Sequence, residues 1–503
     1  KWLQETNLID PLPIWLIPIG KNIIDFSTLG EGDGRNQALF NYILKLQSEG
    51  LSKDEIRETI TIINKYILED PLPERELETI LRDEAFQKPV FFKGTTFLFD
   101  KFSNYLKNEH YIIKINNQLH IYKDGVYQNG NVIIEGEMIK HISNLNRAKR
   151  NEVLHYLNIS INENKVQSNA NLIAFNNGSY NLIDDSFSNF SPDYIITNKI
   201  PWDYNPNAYS KLADNTLDKI ACHDEEIRAL LEEVIGYTFY RRNELGKAFI
   251  FIGDKSNGKS TYLDMISTIL GQENISALDL KELGERFKTA ELFGKLANIG
   301  DDIGDEFIAN PSVFKKLVTG DRINVEKKGQ DPFDFNNYSK LLFSANNIPR
   351  MKDRTGAVQR RLVIIPFNAK FSKDDPDYRP YIKYELREEE SIQYLINVGL
   401  KGLKRILENR QFTKSSKVEK ELEEYEESNN PVIGFVKDVG LNSILENTTS
   451  EAYLRYQEYC VKEGLQPLSN REFGKVICGT FNLESKQKWI AGENRRVYIK
   501  LEE

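Results

Sequence analysis

The stretch that most constrains this chain runs from Lys247 to Gly271, KAFIFIGDKSNGKSTYLDMISTILG. Ala248–Ile252 is an unbroken apolar run, the mark of a buried strand. Gly253-Asp254-Lys255-Ser256-Asn257-Gly258-Lys259-Ser260 then matches G-x-x-x-x-G-K-[ST] at every fixed position, with Thr261 next. Leu263, Ile266, Ile269 and Leu270 follow at helical spacing. Strand, glycine-bracketed loop and helix is the order this motif requires.

The residue types suit a phosphate. Backbone N–H groups must point inward and the loop must approach closely, which Gly253 and Gly258 permit. The helix starting near Lys259 offers its positive end. Lys259 would reach the β- and γ-phosphates of a nucleotide, and the Ser260 hydroxyl would bind Mg²⁺. Residues 253–261 are therefore the expected nucleotide segment, with ATP and Mg²⁺ as ligands. The alternative is a chance match, which the flanking strand and helix weaken.

Composition bounds the rest. The 503 residues, 40% of them hydrophobic, are enough for several domains with sizeable cores. No apolar run approaches the length of a membrane span. Cys222, Cys460 and Cys478 form no C-x-x-C pair, so no zinc site is expected and a reducing cytoplasm fits. The net charge of −9 argues against a basic coat for duplex DNA, so any nucleic-acid contact must come from local lysines and arginines. The chain begins with Lys1 rather than Met, which suggests a piece of something longer.

In chain order, residues 1–88 read as a proline-broken linker followed by a helical module. That module has a capping box at Ser52 and Glu55 and a last helix over Glu74–Asp83. Residues 89–245 read as an α+β domain. It holds a meander over Tyr111–Ile115, Gln118–Tyr122 and Val126–Tyr127, with turns at Asn116-Asn117 and Asp124-Gly125. Two short strands are expected at Leu172–Phe175 and Ser179–Leu182, and a helix over Asp224–Tyr240. Residues 246–410 are the expected motor. Residues 411–430, with the charge run KVEKELEEYEE, read as a charged linker or solvated helix. In 431–503 three helices (432–438, 450–463, 470–479) precede strands at Lys486–Ile490 and Arg496–Ile499. Arg471, Lys475, Lys486, Lys488, Arg495 and Arg496 collect positive charge there. They would serve either DNA contact or internal packing.

Three features downstream of the loop say what the nucleotide is used for. Leu296–Ile299 ends in Gly300-Asp301-Asp302, a strand-end acidic pair able to hold Mg²⁺ and activate water. Asp305 and Glu306 lie close by, which leaves the assignment within the cluster open. Lys340–Ala345 is a strand ending at Asn346, a polar tip suited to sensing the γ-phosphate. Ala357–Phe367, AVQRRLVIIPF, puts Arg360 and Arg361 just before a strand, where one could stabilise charge at a neighbouring subunit's nucleotide.

The order GDKSNGKS, IGDDI, SANNIP, QRRLVIIPF resembles the superfamily 3 helicases: phage and plasmid primase–helicases, papillomavirus replicative helicase and polyomavirus large T antigen. The 30–88 module, GRN…LF followed by N-K-Y and P-L-P, resembles the helical C-terminal module of archaeo-eukaryotic-type primases. The middle region resembles the domain before the motor in phage, plasmid and poxvirus primase–helicases. The last domain resembles a winged helix. The resemblance implies a multidomain α/β protein with a central P-loop, AAA+-like domain. It implies an ATP-dependent replicative DNA helicase that works as a homo-oligomeric ring, a hexamer, on single-stranded and fork DNA. Lys259, Asp301, Asp302 and Asn346 would act on the nucleotide, with Ser260, Asp301 and Asp302 on the metal. Arg361 would be the finger, Arg360 the alternative. Gly320–Gly329 matches a β-hairpin that reaches the ring's channel, where Lys327 and Lys328 would grip the backbone. Gly329 stands where eukaryotic viral members often have histidine. Arg495 and Arg496 are the expected DNA contacts of the last domain. A primase or replication initiator is the expected partner. The setting would be a bacterial host's cytoplasm or a viral replication site, for a phage or mobile element. The polymerising carboxylates of such primases would lie upstream, so no primer synthesis is assigned. The rival reading is an origin-binding initiator or loader that uses ATP as an assembly switch.

Overall fold

A computed structural model describes residues 26–501, apart from 31–33, 49–50, 84–85, 87–90, 94, 305, 330, 352–355, 375–377, 464 and 491. Most of the linker expected over 1–30, and Asp305, lie outside the described residues. The chain forms two compact units, the first reaching residue 167 with 191–197, the second holding 168–190 and 198 onward. The region read as one α+β domain over 89–245 is thus divided between them.

The first unit opens with helices Arg35–Ser48, Lys53–Tyr66 and Glu74–Leu81. Ser52 and Glu55 close a reciprocal capping box on the second. Leu39, Ile43 and Leu46 bury against Ile56, Ile60 and Ile63. The Asn64 side chain brackets Leu72, accepting from its N–H at 2.8 Å and donating to its carbonyl at 3.3 Å, and so fixes the P-L-P turn. Further along, Ile113–Ile115, Gln118–Lys123 and Val126–Asn129 form an antiparallel meander. Its turns carry Asn116 and Asn117 at φ 50° and 60°, and Asp124 and Gly125 at 50° and 87°. Positive φ at both central positions is what tight two-residue hairpins demand, and Asn, Asp and Gly tolerate it. Helices Phe99–Glu109, Asn131–His141 and Arg147–Ser160 cover this sheet.

The second unit is built on a parallel five-stranded sheet. Its strands are β1 (Ala248–Ile252), β2 (Ile275–Ser276), β3 (Ala297–Gly300), β4 (Lys340–Ala345) and β5 (Leu362–Pro366), ordered β2-β3-β4-β1-β5. Both faces are buried, which explains the continuous apolar runs. Phe249, Phe251, Val363 and Ile365 face helices Glu225–Tyr237, Lys259–Leu270 and Glu389–Asn409. Ala248, Ile250, Leu362 and Ile364 face the opposite layer, with Phe314, Leu317 and Tyr425. Two of the helices touch backbone to backbone: a Cβ at Gly236 would lie 2.0 Å from the Gly399 carbonyl. Beside that crossing, buried Glu233 accepts from Arg405 Nε at 2.6 Å and from Thr413 N–H at 2.8 Å.

The charged 411–430 stretch holds helix Ser416–Asn429, and it is docked rather than free. Tyr425 is buried and Leu422 packs beside it, while Asn429 hydrogen-bonds both the N–H (2.8 Å) and the carbonyl (2.7 Å) of Met351. Beyond it come helices Pro431–Val439, Leu441–Leu445, Thr449–Lys462 and Asn470–Thr480, then a hairpin of Leu483–Ile490 with Glu493–Lys500. Phe435, Tyr456, Phe473, Ile477 and Tyr498 form their core. Leu441–Leu445 is a helix beyond those expected. No helix among the described residues is long and apolar enough to cross a membrane.

Candidate functional site

Parallel strands deliver all their carboxyl ends to one edge of the sheet, where ligands of open α/β sheets gather. The loop after β1, the acids after β3 and Asn346 after β4 therefore meet there. Gly253 (φ 151°) has no room for a side chain, because a Cβ would lie 2.3 Å from Asn257 Nδ2 and 2.3 Å from the Phe367 carbonyl. Asn257 is buried and donates to that same carbonyl at 2.8 Å, which ties the loop to the end of β5. Ser256 and Gly258 also have positive φ, 59° and 93°, so the loop curls back on itself. Asp254, Lys255 and Ser256 are exposed along it.

Lys259 opens the helix and is buried to 8% exposure. Its ammonium donates to the carbonyls of Gly253 (2.5 Å) and Asp254 (3.0 Å). Burial lowers its pKa, and the nearby Asp301, Asp302 and Asp254 partly oppose that. Next to it, Ser260 Oγ donates to Asp301 Oδ1 at 3.4 Å. Asn346 Nδ2 donates to Asp302 Oδ1 at 3.3 Å. All five expected side chains thus converge on one point. Asp302 sits at φ 55°, and its N–H donates to Ser344 Oγ at 2.9 Å. The Ser344 hydroxyl in turn donates to Asp301. Ser344, buried inside β4, positions the acidic pair; the sequence reading passed over it as one more strand residue.

Beside the loop opens a cavity of about 740 Å³ that sequence reasoning missed. Helix Lys211–Ile220 gives it Leu212, Thr216 and Lys219, the loop gives it Gly258 and Thr261, and Phe371 closes it. The Phe371 N–H donates to the Ser256 carbonyl at 3.1 Å, and the Lys219 ammonium lies 5.0 Å from the Phe371 ring centroid. Its size and aromatic wall suit a nucleoside next to the phosphate loop.

Among the described residues no cluster of three or more His, Cys, Asp or Glu could hold a metal alone. A hydroxyl with one or two carboxylates is nonetheless the hard-oxygen set that suits Mg²⁺, which keeps waters and shares substrate phosphates.

The arginines lie elsewhere. Arg360 and Arg361 precede β5, whose Leu362 pairs with Ala248 and whose Pro366 pairs with Ile252. They are therefore a strand length, roughly 13 Å, from the loop at the far end of β1. Lys247, just before β1 and so at the opposite end of the strand from the loop, donates from its ammonium to the Arg360 carbonyl at 2.6 Å. Arg360 is exposed; Arg361 is half-buried and donates from Nη1 to the Ala357 carbonyl at 2.6 Å.

The ribbon of Arg322–Val325 with Phe333–Asn336 is an antiparallel hairpin, as its sequence suggested. Ile323, Val325 and Phe335 root it in the core. At its tip Gly329 takes φ 77°. Lys327 lies over the rings of Phe293 (5.6 Å) and Phe333 (5.8 Å), while Lys328 is exposed. Arg495 and Arg496 are exposed on the C-terminal hairpin.

Four family models match in series along the chain. They are described as primase C terminal (27–82), D5 N terminal like (84–236), a family of unknown function (251–361) and poxvirus D5 protein-like (427–503). Together they indicate a primase–helicase family. "Putative helicase 184R" of Invertebrate iridescent virus 6 is 26% identical over 339 residues, 59% of this chain and 34% of its own length. "Putative helicase 121R" of Invertebrate iridescent virus 3 is 29% identical over 227 residues, 41% of this chain and 24% of its own. The chain thus spans about a quarter to a third of these relatives. The apo C-terminal region of NrS-1 is similar with a TM-score of 0.47 and 14% identity, over 78% of this chain and 96% of that one.

Proposed function

We propose that this primase–helicase-type chain is the ATP-driven part of a replicative DNA helicase of superfamily 3, with an AAA+-like P-loop domain at its centre. The observation that carries the reading is the meeting of Lys259, Ser260, Asp301, Asp302 and Asn346 at the carboxyl edge of one parallel sheet. In this reading Lys259 leaves the loop carbonyls for the β- and γ-phosphates of ATP. Asp301 and Asp302 orient the attacking water, and Asn346 reports the γ-phosphate through its contact with Asp302. Mg²⁺ held at Ser260 and the acidic pair would neutralise charge on the phosphate oxygens. The nucleoside occupies the cavity at Phe371.

The arginine pair supports a ring. Arg360 and Arg361 are too far from their own loop to act on it, so the finger works on a neighbour's nucleotide. Exposure favours Arg360 for this over Arg361, whose guanidinium is already engaged by Ala357. In a closed ring, a hexamer in our reading, the 322–336 ribbons line the channel. Lys328 then grips the backbone of single-stranded DNA, with Lys327 braced against two phenylalanines. The C-terminal helices and hairpin act as a winged helix at the fork, and a primase or initiator completes the machine.

The test is ATP hydrolysis with and without Lys259→Ala and with Mg²⁺ removed by chelation. Turnover should vanish in both cases. Turnover that survives Lys259→Ala places the reaction at another site.

A further inference from the structure

We infer that Trp489, at the outer end of the C-terminal hairpin, is a stacking site for an unpaired base of the nucleic acid. Trp489 is 74% exposed, although burying so large an aromatic ring is strongly favourable. The hairpin explains why it has no cover. Its root is anchored, with Leu483, Val497 and Tyr498 buried and Val497 bridged to Thr448. Beyond that root, Ser485–Trp489 on one strand and Glu493–Arg496 on the other are exposed. The ring is held out by a paired, eight-residue-per-strand ribbon rather than by a loose loop.

Register shows what surrounds it. Trp489 pairs with Asn494, and Gln487 pairs with Arg496, so these four share one face. Asn494 Nδ2 donates to Gln487 Oε1 at 3.4 Å, a polar floor beside the ring. Arg496 lies diagonally across from Trp489, within reach of a phosphate next to a base stacked on the indole. On the other face Lys488 pairs with Arg495. Arg495 is held by Glu493 at 3.0 Å, whereas Arg496 and Lys488 have no acidic partner among the described residues. In a chain of net charge −9, an uncommitted arginine on the indole's own face, with an uncommitted lysine on the other, fits an anion with a flat face. That is a single-stranded or frayed nucleic acid, recognised by stacking and phosphate contact with no reading of base edges. The proposal rests on the reading of nucleic acid as substrate, and it adds the element that meets the unpaired base.

The test uses the full chain with a labelled fork carrying thymidine tails and a blunt duplex of equal length, over a salt series. Trp489→Ala should weaken fork binding roughly 5- to 150-fold, the value of one lost stack, and leave blunt-duplex binding nearly unchanged. Trp489→Phe should keep most of the affinity. The slope of log affinity against log salt should stay the same in Trp489→Ala and fall by about one in Arg496→Ala. ATP turnover without DNA should be equal in the parent chain and the two Trp489 variants. Fork affinity unchanged in Trp489→Ala overturns the proposal and points to a protein as the occupant. Equal losses in the Ala and Phe variants, with an altered salt slope, also overturn it. If the parent chain binds neither DNA, the helicase reading falls with it; if the parent binds and only the tryptophan is silent, this inference alone falls.

Discussion

Arg360→Ala should leave the nucleotide site intact and still stop hydrolysis. The reasoning is geometric. β1 and β5 run parallel and in register from Ala248–Leu362 to Ile252–Pro366. The loop follows Ile252 while the arginines precede Leu362, so roughly 13 Å of strand separates them, beyond an arginine's reach. A finger supplied by a neighbour is worth about 10³- to 10⁵-fold in turnover, or about 4–7 kcal/mol of barrier. Arg360→Ala alone should lose that much, with nucleotide affinity nearly unchanged. Lys259→Ala alone is equally inactive for the opposite reason. Mixed one to one in freely exchanging rings, about a quarter of interfaces join an intact loop to an intact arginine. Steady-state phosphate release should then recover to about a quarter of the parent rate. No recovery on mixing, with exchange verified by labelled subunits, would refute action between subunits. So would an Arg360→Ala, Arg361→Ala double variant that still turns over.

Other expectations are more local. Ser344→Ala removes the acceptor for the Asp302 N–H and the donor to Asp301. It should cost about 1–3 kcal/mol of stability by thermal melts and lower turnover at least tenfold, because the acids lose their fixed orientation. Phe371→Ala should raise the KM for ATP far more than it lowers kcat, since the ring walls the cavity that our reading gives to the nucleoside. Burial lowers the pKa of His120 and, helped by His141, that of His110. The unfolded chain then binds protons first, so stability from these groups is full above the ordinary histidine value of about 6.5 and is lost as pH falls below it through the lower folded pKa. The melting temperature of the first unit should drop between pH 7.5 and 5.5, and a flat profile there would contradict the assignment.

Much of the candidate site was legible because its geometry is local. A buried strand must be apolar, a phosphate loop needs glycine where φ is positive, and a strand end puts its acid at the sheet edge. The meander was legible for the same reason, since Asn-Asn and Asp-Gly fix its turns. The cavity beside the loop was not, because Lys219, Thr261 and Phe371 lie far apart in sequence and only the fold assembles them. The charged helix was misjudged by composition: Val418, Leu422 and Tyr425 sit at i, i+4 and i+7 and form the stripe that docks it. Ser344 carried no sequence signal, because a hydroxyl inside an apolar strand shows its purpose only when its partners from the next strand are placed. The arginines were legible as a pair, but their distance from the loop came only from the register.

The most direct measurement is strand displacement on a forked duplex, run in parallel with ATP turnover on the same samples. The parent chain should separate strands only with hydrolysable ATP, and Lys259→Ala should do neither. Lys328→Ala should keep turnover within about twofold and separate nothing, because in our reading the exposed lysine of the ribbon grips the DNA and takes no part in the nucleotide site. A parent chain that hydrolyses ATP yet separates no strands would favour the origin-binding initiator, and separation that survives Lys328→Ala would contradict the account outright.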